Sequence, residues 1–73
     1  MVEVTMLLQI IRREKGMSLR KLEEKSHVSK STLSNIENGT IPNLKTLCDI
    51  AYALKVSPES LYTCKTHSGE SWW

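Results

Sequence analysis

The sequence predicts an all-α domain built from five helices. Three copies of one helix-start pattern support this prediction: an apolar residue, a serine and, four residues after the serine, a leucine. The copies are Met17-Ser18 with Leu22, Val28-Ser29 with Leu33, and Val56-Ser57 with Leu61. In each copy the serine hydroxyl can accept from a free N–H group of the new helix, and the apolar residue can pack on the leucine. Apolar residues at helical spacing occupy the segments between these starts.

The length and composition predict one small domain. The chain has 73 residues, 5% aromatics and no phenylalanine, so the core has to be aliphatic. No apolar run approaches the length of about 18 residues that a membrane span needs, and the start lacks the basic region of a signal peptide. We therefore expect a cytoplasmic protein with no membrane contact.

The two cysteines are expected to be free thiols. Cys48 and Cys64 could in principle form a disulfide, but a reducing cytosol disfavours one. The spacing Cys64-x-x-His67 suggests a metal, but structural zinc needs about four ligands and the other candidates are distant in sequence. The sequence predicts no metal and no cofactor.

Helix 1 is predicted from about Val2 to Lys15 and ends at Gly16, a favourable residue for a left-handed cap. Its apolar stripe has the spacing i, i+3, i+4, i+7 and consists of Val4, Leu7, Leu8 and Ile11. Met6 and Ile10 lie on another side of this helix. They are either scattered exposed residues or part of a partner surface.

Helices 2 and 3 are short and close together. Helix 2 covers about Leu19 to Lys25, with Leu22 as its main core contact. Helix 3 covers about Lys30 to Asn38 and buries Leu33 and Ile36. So short a connection is typical of a helix-turn-helix, whose second helix usually reads DNA.

Helices 4 and 5 complete the prediction. Gly39 ends helix 3, and helix 4 then runs from the N-cap Asn43 to Leu54. Helix 5 opens at Pro58, where a missing N–H costs nothing, and a loose polar tail follows Tyr62. The predicted core face of helix 4 contains Leu44, Leu47, Cys48, Ala51 and Leu54, with Ile50 beside it.

The positive charge is concentrated on the two-helix unit. Seven of the ten basic residues fall within residues 12–30, against three glutamates. An ordinary solvated face is the alternative, but the coincidence with helices 2 and 3 favours a surface that faces phosphate.

The residues from Gly16-Met17-Ser18 to Glu37-Asn38-Gly39 are followed by Leu44-x-x-Leu47-x-x-Ile50-Ala51-x-Ala53-Leu54-x-Val56-Ser57. Together they resemble the Cro/repressor-type (XRE) helix-turn-helix family over about residues 7–62. The resemblance implies a compact five-helix, lambda-repressor-like DNA-binding domain in residues 1–62 and a C-terminal tail in residues 63–73. It further implies a sequence-specific transcriptional regulator, a small repressor that binds a double-stranded DNA operator as a homodimer.

The resemblance also implies roles for individual residues. Helix 3 would enter the major groove, and the residues that would face the base edges are Lys30, Ser31, Thr32 and Asn35. The residues that would contact phosphate are Arg20, Ser29, Asn38, Thr40 and Asn43. Arg12 and Glu37 hold the family positions of a partly buried ion pair, with two separate surface charges as the alternative. Leu61 and Tyr62 are the first candidates for a dimer contact.

Three positions depart from the family pattern. Leu19 replaces a glutamine at the start of helix 2, and Arg20 is the candidate substitute for its contact. Glu23 replaces a small residue where helix 3 crosses closely, so its carboxylate has to bend outward or the helices have to separate. His27 replaces a glycine in the turn and is expected to adopt a left-handed backbone, as is Lys55 after helix 4.

An enzyme is not expected. The sequence has no glycine-rich phosphate loop, no evident pair of catalytic carboxylates and no nucleophile with a base nearby in sequence. The alternative function is an antitoxin-like or regulatory protein-interaction module. It would bind its partner through Met6 and Ile10 on helix 1 and through Trp72 and Trp73 in the tail.

Overall fold

The structure, a computed structural model, describes residues 2–66. In chain order its elements are β1 (Val2–Met6), α1 (Leu8–Glu14), α2 (Leu19–Ser26), α3 (Lys30–Glu37), α4 (Leu44–Leu54), a 3-10 helix (Pro58–Leu61) and β2 (Tyr62–Thr66). The expected five-helix, all-α architecture is therefore only partly correct. Residues 2–66 contain four α-helices, one 3-10 helix and a small two-stranded antiparallel sheet.

The sheet joins the two ends of the described chain. β1 and β2 run antiparallel, with Val4 opposite Cys64 and Met6 opposite Tyr62. The prediction that helix 1 begins at Val2 is wrong, because residues 2–6 alternate apolar and polar side chains with the period of a strand. Residues 63–66, expected in a loose tail, instead form most of β2. Each strand needs the other, since an isolated strand leaves its backbone hydrogen bonds unmade.

The first α-helix begins where the sheet ends. The N–H of Leu7 donates to the carbonyl of Leu61 at 2.7 Å, and α1 follows from Leu8, which is fully buried. Ile10 is 57% exposed, in agreement with its predicted position off the core stripe. Met6, predicted to share that side, instead packs against the core from β1.

The core lies between the four helices and the 3-10 helix. α4 packs against both α2 and the 3-10 helix, and α2 packs against α3. The buried apolar residues are Leu8, Leu22, Val28, Leu33, Ile36, Leu47, Ile50, Ala51, Ala53, Leu54 and Leu61.

Two residues of the predicted α4 core face are exposed. Leu44 is 74% exposed, and Cys48 is also exposed. The buried stripe of α4 starts one turn later, at Leu47, and continues through residues 50, 51 and 54 at helical spacing. Leu44 therefore extends beyond the core from the first turn of the helix.

Three helices end in the same geometry, in which the chain turns into the left-handed region. At Gly16 (φ 66°) the glycine N–H donates to Arg13 and the next N–H donates to Arg12. The same two bonds occur at Gly39 (φ 114°) and at Lys55 (φ 59°). These are Schellman ends, and they confirm the predicted helix ends at both glycines and the left-handed backbone of Lys55.

The third serine pattern behaves differently from the first two. The Ser57 hydroxyl makes no cap bond to a backbone N–H and lies 2.9 Å from the Ser60 hydroxyl. The predicted helix 5 is accordingly one 3-10 turn that leads into β2. Cys48 and Cys64 are free thiols. Within residues 2–66, no helix has the length and apolar character needed to cross a membrane.

Candidate nucleic-acid interface

The α2–turn–α3 unit is held by side-chain caps at the start of both helices. Ser18 Oγ accepts from the Lys21 N–H at 3.1 Å, and Ser29 Oγ accepts from the Thr32 N–H at 3.2 Å. Both predicted caps are confirmed. At the end of α2, Ser26 is buried and its Oγ accepts from the Val28 N–H at 3.2 Å.

His27 forms the corner of this turn. Its φ of 61° places it in the left-handed region, as the sequence predicted, and its N–H donates to the Glu23 carbonyl at 2.9 Å. Non-glycine residues adopt this conformation at a cost of about 1–2 kcal/mol. The turn therefore retains its geometry although the residue that suits it best is absent.

The two faces of α3 have different roles. Leu33 and Ile36 are buried in the core, which fixes the rotation of the helix. The four residues that the sequence assigned to base contacts are all exposed on the same helix: Lys30, Ser31, Thr32 and Asn35. The Thr32 Oγ1 accepts from Ser29 Oγ at 2.9 Å.

The residues assigned to phosphate contacts are also exposed, and two of them have a structural bond as well. They are Arg20 in α2, Ser29 before α3, and Asn38, Thr40 and Asn43 between α3 and α4. Asn43 Oδ1 accepts from the Thr46 N–H at 2.8 Å, which confirms the predicted cap of α4. This bond leaves the carboxamide N–H groups of Asn43 as the donors for an anion.

Arg12 and Glu37 come together in a two-point ion pair. Arg12 Nε donates to Glu37 Oε2 at 2.6 Å, and Nη2 donates to Oε1 at 3.2 Å. Nη1 of the same guanidinium donates to the Met17 carbonyl at 2.8 Å. The hydrogen bond to Glu37 raises the pKa of Arg12 above its ordinary value. Arg12 therefore belongs to the internal framework, and the other six basic residues of the charged stretch supply its exposed positive charge.

Glu23 makes a contact that the sequence did not predict. Its Oε2 accepts from the N–H of Lys30, the first residue of α3, at 2.7 Å. The carboxylate is turned toward the amino end of α3 and joins the two helices. Glutamate in mid-helix gives no local signal for such a bond, because its partner belongs to the next helix.

Leu19, which departs from the family pattern, helps to form the core. It is partly buried and packs against the hydrophobic cluster from the first position of α2. A glutamine contact from this position is therefore absent. Arg20, its exposed neighbour, is the polar side chain available at this end of α2.

Two open clefts flank the sheet. One, of about 490 Å³, lies beside residues 4–6 of β1 and residues 36–39 at the end of α3. The other, of about 200 Å³, is lined by side chains that are mainly apolar: Val4, Met6, Ile41, Pro42, Leu47, Tyr62 and Cys64. The part of the chain that the structure describes has no cluster of three residues suited to bind a metal. His67, Trp72 and Trp73 lie outside the described residues.

Comparison with known proteins places the chain among helix-turn-helix proteins. A helix-turn-helix family model matches residues 8–61. The chain is similar to SinR, the master regulator for biofilm formation from Bacillus subtilis, whose structure was solved in complex with DNA. The identity is 40% and the TM-score 0.68, over 73% of this chain and 87% of the SinR chain. No curated protein sequence gives a significant match.

Two further structures extend the comparison. A candidate DNA-binding protein from Bacteroides fragilis has 26% identity and a TM-score of 0.74, over 82% of this chain and 98% of its own. A complex of SinR with the SinI protein matches with 40% identity and a TM-score of 0.66, over 73% of this chain and 53% of the other.

Proposed function

This chain belongs to the XRE-type helix-turn-helix family of DNA-binding transcription regulators, and we propose that it is a small dimeric repressor that reads the major groove with α3. One observation carries the proposal. α3 is capped at its start, closed by a Schellman end at Gly39 and fixed in rotation by two buried residues, while its polar residues face outward. A preorganised helix of this kind binds a groove with little further loss of entropy.

The exposed side chains supply the chemistry for base recognition. Lys30 can donate to guanine O6 and N7, and Asn35 can form the two-point pair with adenine N6 and N7. Ser31 can donate or accept, and the methyl group of Thr32 can contact a thymine methyl. Arg20, together with Asn38, Thr40 and Asn43, provides donors for phosphate oxygens on either side of these bases.

We propose a homodimer, because one helix of eight residues reads only a few base pairs and a second copy supplies the remaining affinity. Leu61, a candidate from the sequence, cannot form this contact because it is fully buried in the core. Ile41 and Leu44 are better candidates, with exposures of 53% and 74%. Ile41 lies in the loop before α4 and Leu44 is the first residue of α4, so we propose that an apolar contact with a second copy covers both.

A second candidate function is a protein-interaction module. Ile10 on α1 is exposed, as are Val2 and Val4 on β1, so apolar surface is available in addition to the exposed polar face of α3. SinR, a relative at 40% identity, was solved in complex with the SinI protein. This function predicts that Ile10→Ser abolishes capture of a partner protein while DNA affinity is retained, and it is compatible with DNA binding.

Selection of binding sites from random duplex DNA tests the proposed function. Lys30→Ala and Asn35→Ala are each expected to cost about 1–3 kcal/mol of binding free energy at the selected site and to relax specificity at single positions. Lys65→Ala, an exposed lysine in β2, is the control and should leave the selected sequence unchanged. Failure to select any sequence, or unchanged specificity in both α3 variants, would contradict the proposal.

A further inference from the structure

The bond between Glu23 and Lys30 places a carboxylate at the amino end of α3. Glu23 lies in the second turn of α2, and its Oε2 crosses the intervening turn to accept from the first amide of α3 at 2.7 Å. Glu23 is half-buried. Ser29 Oγ accepts from the Thr32 N–H in the same turn of the helix. Two of the first amides of α3 are therefore bonded within the protein.

The position of this carboxylate matters because the amino end of a helix attracts anions. Free N–H groups and the helix dipole together give it a partial positive charge, which favours phosphate. A carboxylate bonded there takes one donor, offsets the partial charge and repels a second anion. DNA presents phosphates to any surface that approaches it, independently of sequence.

A neutral side chain could make the same contact, although with a weaker hydrogen bond than that of a carboxylate. The amide oxygen of a glutamine at position 23 could accept from Lys30 N–H and tie α2 to α3 in the same way. What glutamate adds is the negative charge. The effect of this charge on DNA binding therefore distinguishes a specificity-determining residue from a residue that only caps the helix.

We propose that Glu23 is a specificity-determining residue of the DNA interface, whose carboxylate excludes phosphate from the amino end of α3. With that end closed, α3 engages DNA through its side chains instead of through sequence-independent binding of the phosphate backbone. Glu23 acts at the same time as a positioning residue, because its bond joins the two helices of the unit. This inference rests on the proposed function, which it deepens.

Glu23→Gln tests the charge while keeping an acceptor for Lys30. Glu24→Gln is the matched control. It makes the same change in net charge at the neighbouring glutamate, which is exposed. We expect Glu23→Gln to bind random-sequence duplex about three- to tenfold more tightly than Glu24→Gln at low salt, with an equal loss in the ratio of specific to random binding. Equal affinities of the two variants for random duplex would overturn the inference.

Glu23→Asp separates the effect of the negative charge from the effect of side-chain length. It keeps the negative charge near the amino end of α3 but has a shorter side chain, so its affinity for random duplex should stay close to that of the wild type. An increase as large as that of Glu23→Gln would show that loss of the charge is not what raises the affinity, and would overturn the inference.

A titration without DNA separates this inference from the proposed function. Inorganic phosphate is added to ¹⁵N-labelled protein, and the amide resonances of Lys30 and Ser31 are followed by NMR. We expect these resonances to shift in Glu23→Gln and to stay in place in the wild type and in Glu24→Gln. Equal shifts in all three proteins would overturn the inference whether or not the wild type binds an operator. The same spectra show whether each variant is folded.

Discussion

Arg12 and Glu37 connect the last turn of α1 to the last residue of α3 through two hydrogen bonds, Nε to Oε2 at 2.6 Å and Nη2 to Oε1 at 3.2 Å. Their side chains are only 12% and 7% exposed. A third bond from the same guanidinium reaches the Met17 carbonyl, next to the cap of α2. One arginine therefore positions α3 relative to both preceding helices.

Breaking this ion pair should destabilise the folded protein. We expect Arg12→Met to lower the free energy of unfolding by about 3 kcal/mol, because it leaves the buried Glu37 carboxylate without its partner. Urea denaturation measures the change. Arg13→Met, at an exposed neighbouring arginine, is the control and should have little effect.

The double variant Arg12→Met/Glu37→Met separates the contribution of the ion pair to protein stability from its role in positioning α3. Apolar replacement of both partners often restores the stability that a single change removes. We expect the double variant to recover most of its unfolding free energy but to bind a selected DNA site more weakly than the wild type, because α3 is no longer oriented by directional bonds. Wild-type affinity in a stable double variant would show that the pair does not position α3.

The serines that precede the helices contribute unequally to the free energy of unfolding. Ser29→Ala removes the acceptor for the Thr32 N–H and should lower the unfolding free energy by about 1 kcal/mol. Ser57→Ala is the matched control, since Ser57 makes no cap bond to a backbone N–H. Its effect should stay within about 0.5 kcal/mol in the same denaturation experiment. A similar loss in both variants would contradict the assigned role of Ser29.

His27→Gly should stabilise the protein. Glycine adopts a φ of 61° without the steric cost that a Cβ brings, and this gain exceeds the entropy that glycine loses on folding. We expect an increase of about 0.5–1 kcal/mol in the unfolding free energy, visible as a higher thermal midpoint. His27→Val should lower the midpoint instead, because a β-branched residue is least suited to this backbone.

The register of the sheet can be tested by oxidation. Val4 lies opposite Cys64, so Val4→Cys should form a disulfide with Cys64, since directly opposed residues of antiparallel strands have Cα atoms about 4.5–5.5 Å apart. Cys48→Ser removes the other thiol from the background. Peptide mapping should find no corresponding link for Thr5→Cys, which lies opposite Thr63. A link from position 5 alone would mean a shifted register.

The proposed dimer contact is tested by placing a charge at an exposed apolar residue. If the contact is as proposed, Leu44→Glu should be a monomer in sedimentation velocity and should bind a two-fold DNA site more weakly. Ile10→Glu is the control on α1, with a comparably exposed apolar side chain, and should not change the oligomeric state. A wild type that binds a two-fold site as a monomer would contradict the proposed dimer.

The helix-turn-helix unit could be predicted from the sequence because its signals are local. The cap bonds of Ser18, Ser29 and Asn43 span three residues, and the Schellman bonds at Gly16 and Gly39 span three to five. Buried leucines at helical spacing then set which face of each helix packs inward. The exposure of the α3 residues proposed to read DNA follows from this periodicity.

The sheet and two key contacts could not be predicted from local signals. At β1 two local patterns compete, because Val4 fits a helical stripe with Leu8 while residues 2–6 also alternate as in a strand. Pairing with β2 at the far end of the described chain decides between them. The bonds of Glu23 to Lys30 and of Arg12 to Glu37 likewise join separate helices.

The sequence by itself determined where α2, α3 and α4 begin, which residues cap them and which faces of α2 and α3 are buried. The physical reason is that these choices depend on hydrogen bonds and periodicity within a few neighbouring residues. Only the tertiary structure decided the strand pairing of the two ends, the burial of Leu61 and the carboxylate at the amino end of α3. These features depend on contacts between separate helices or strands. Such contacts form only when the core brings those segments together.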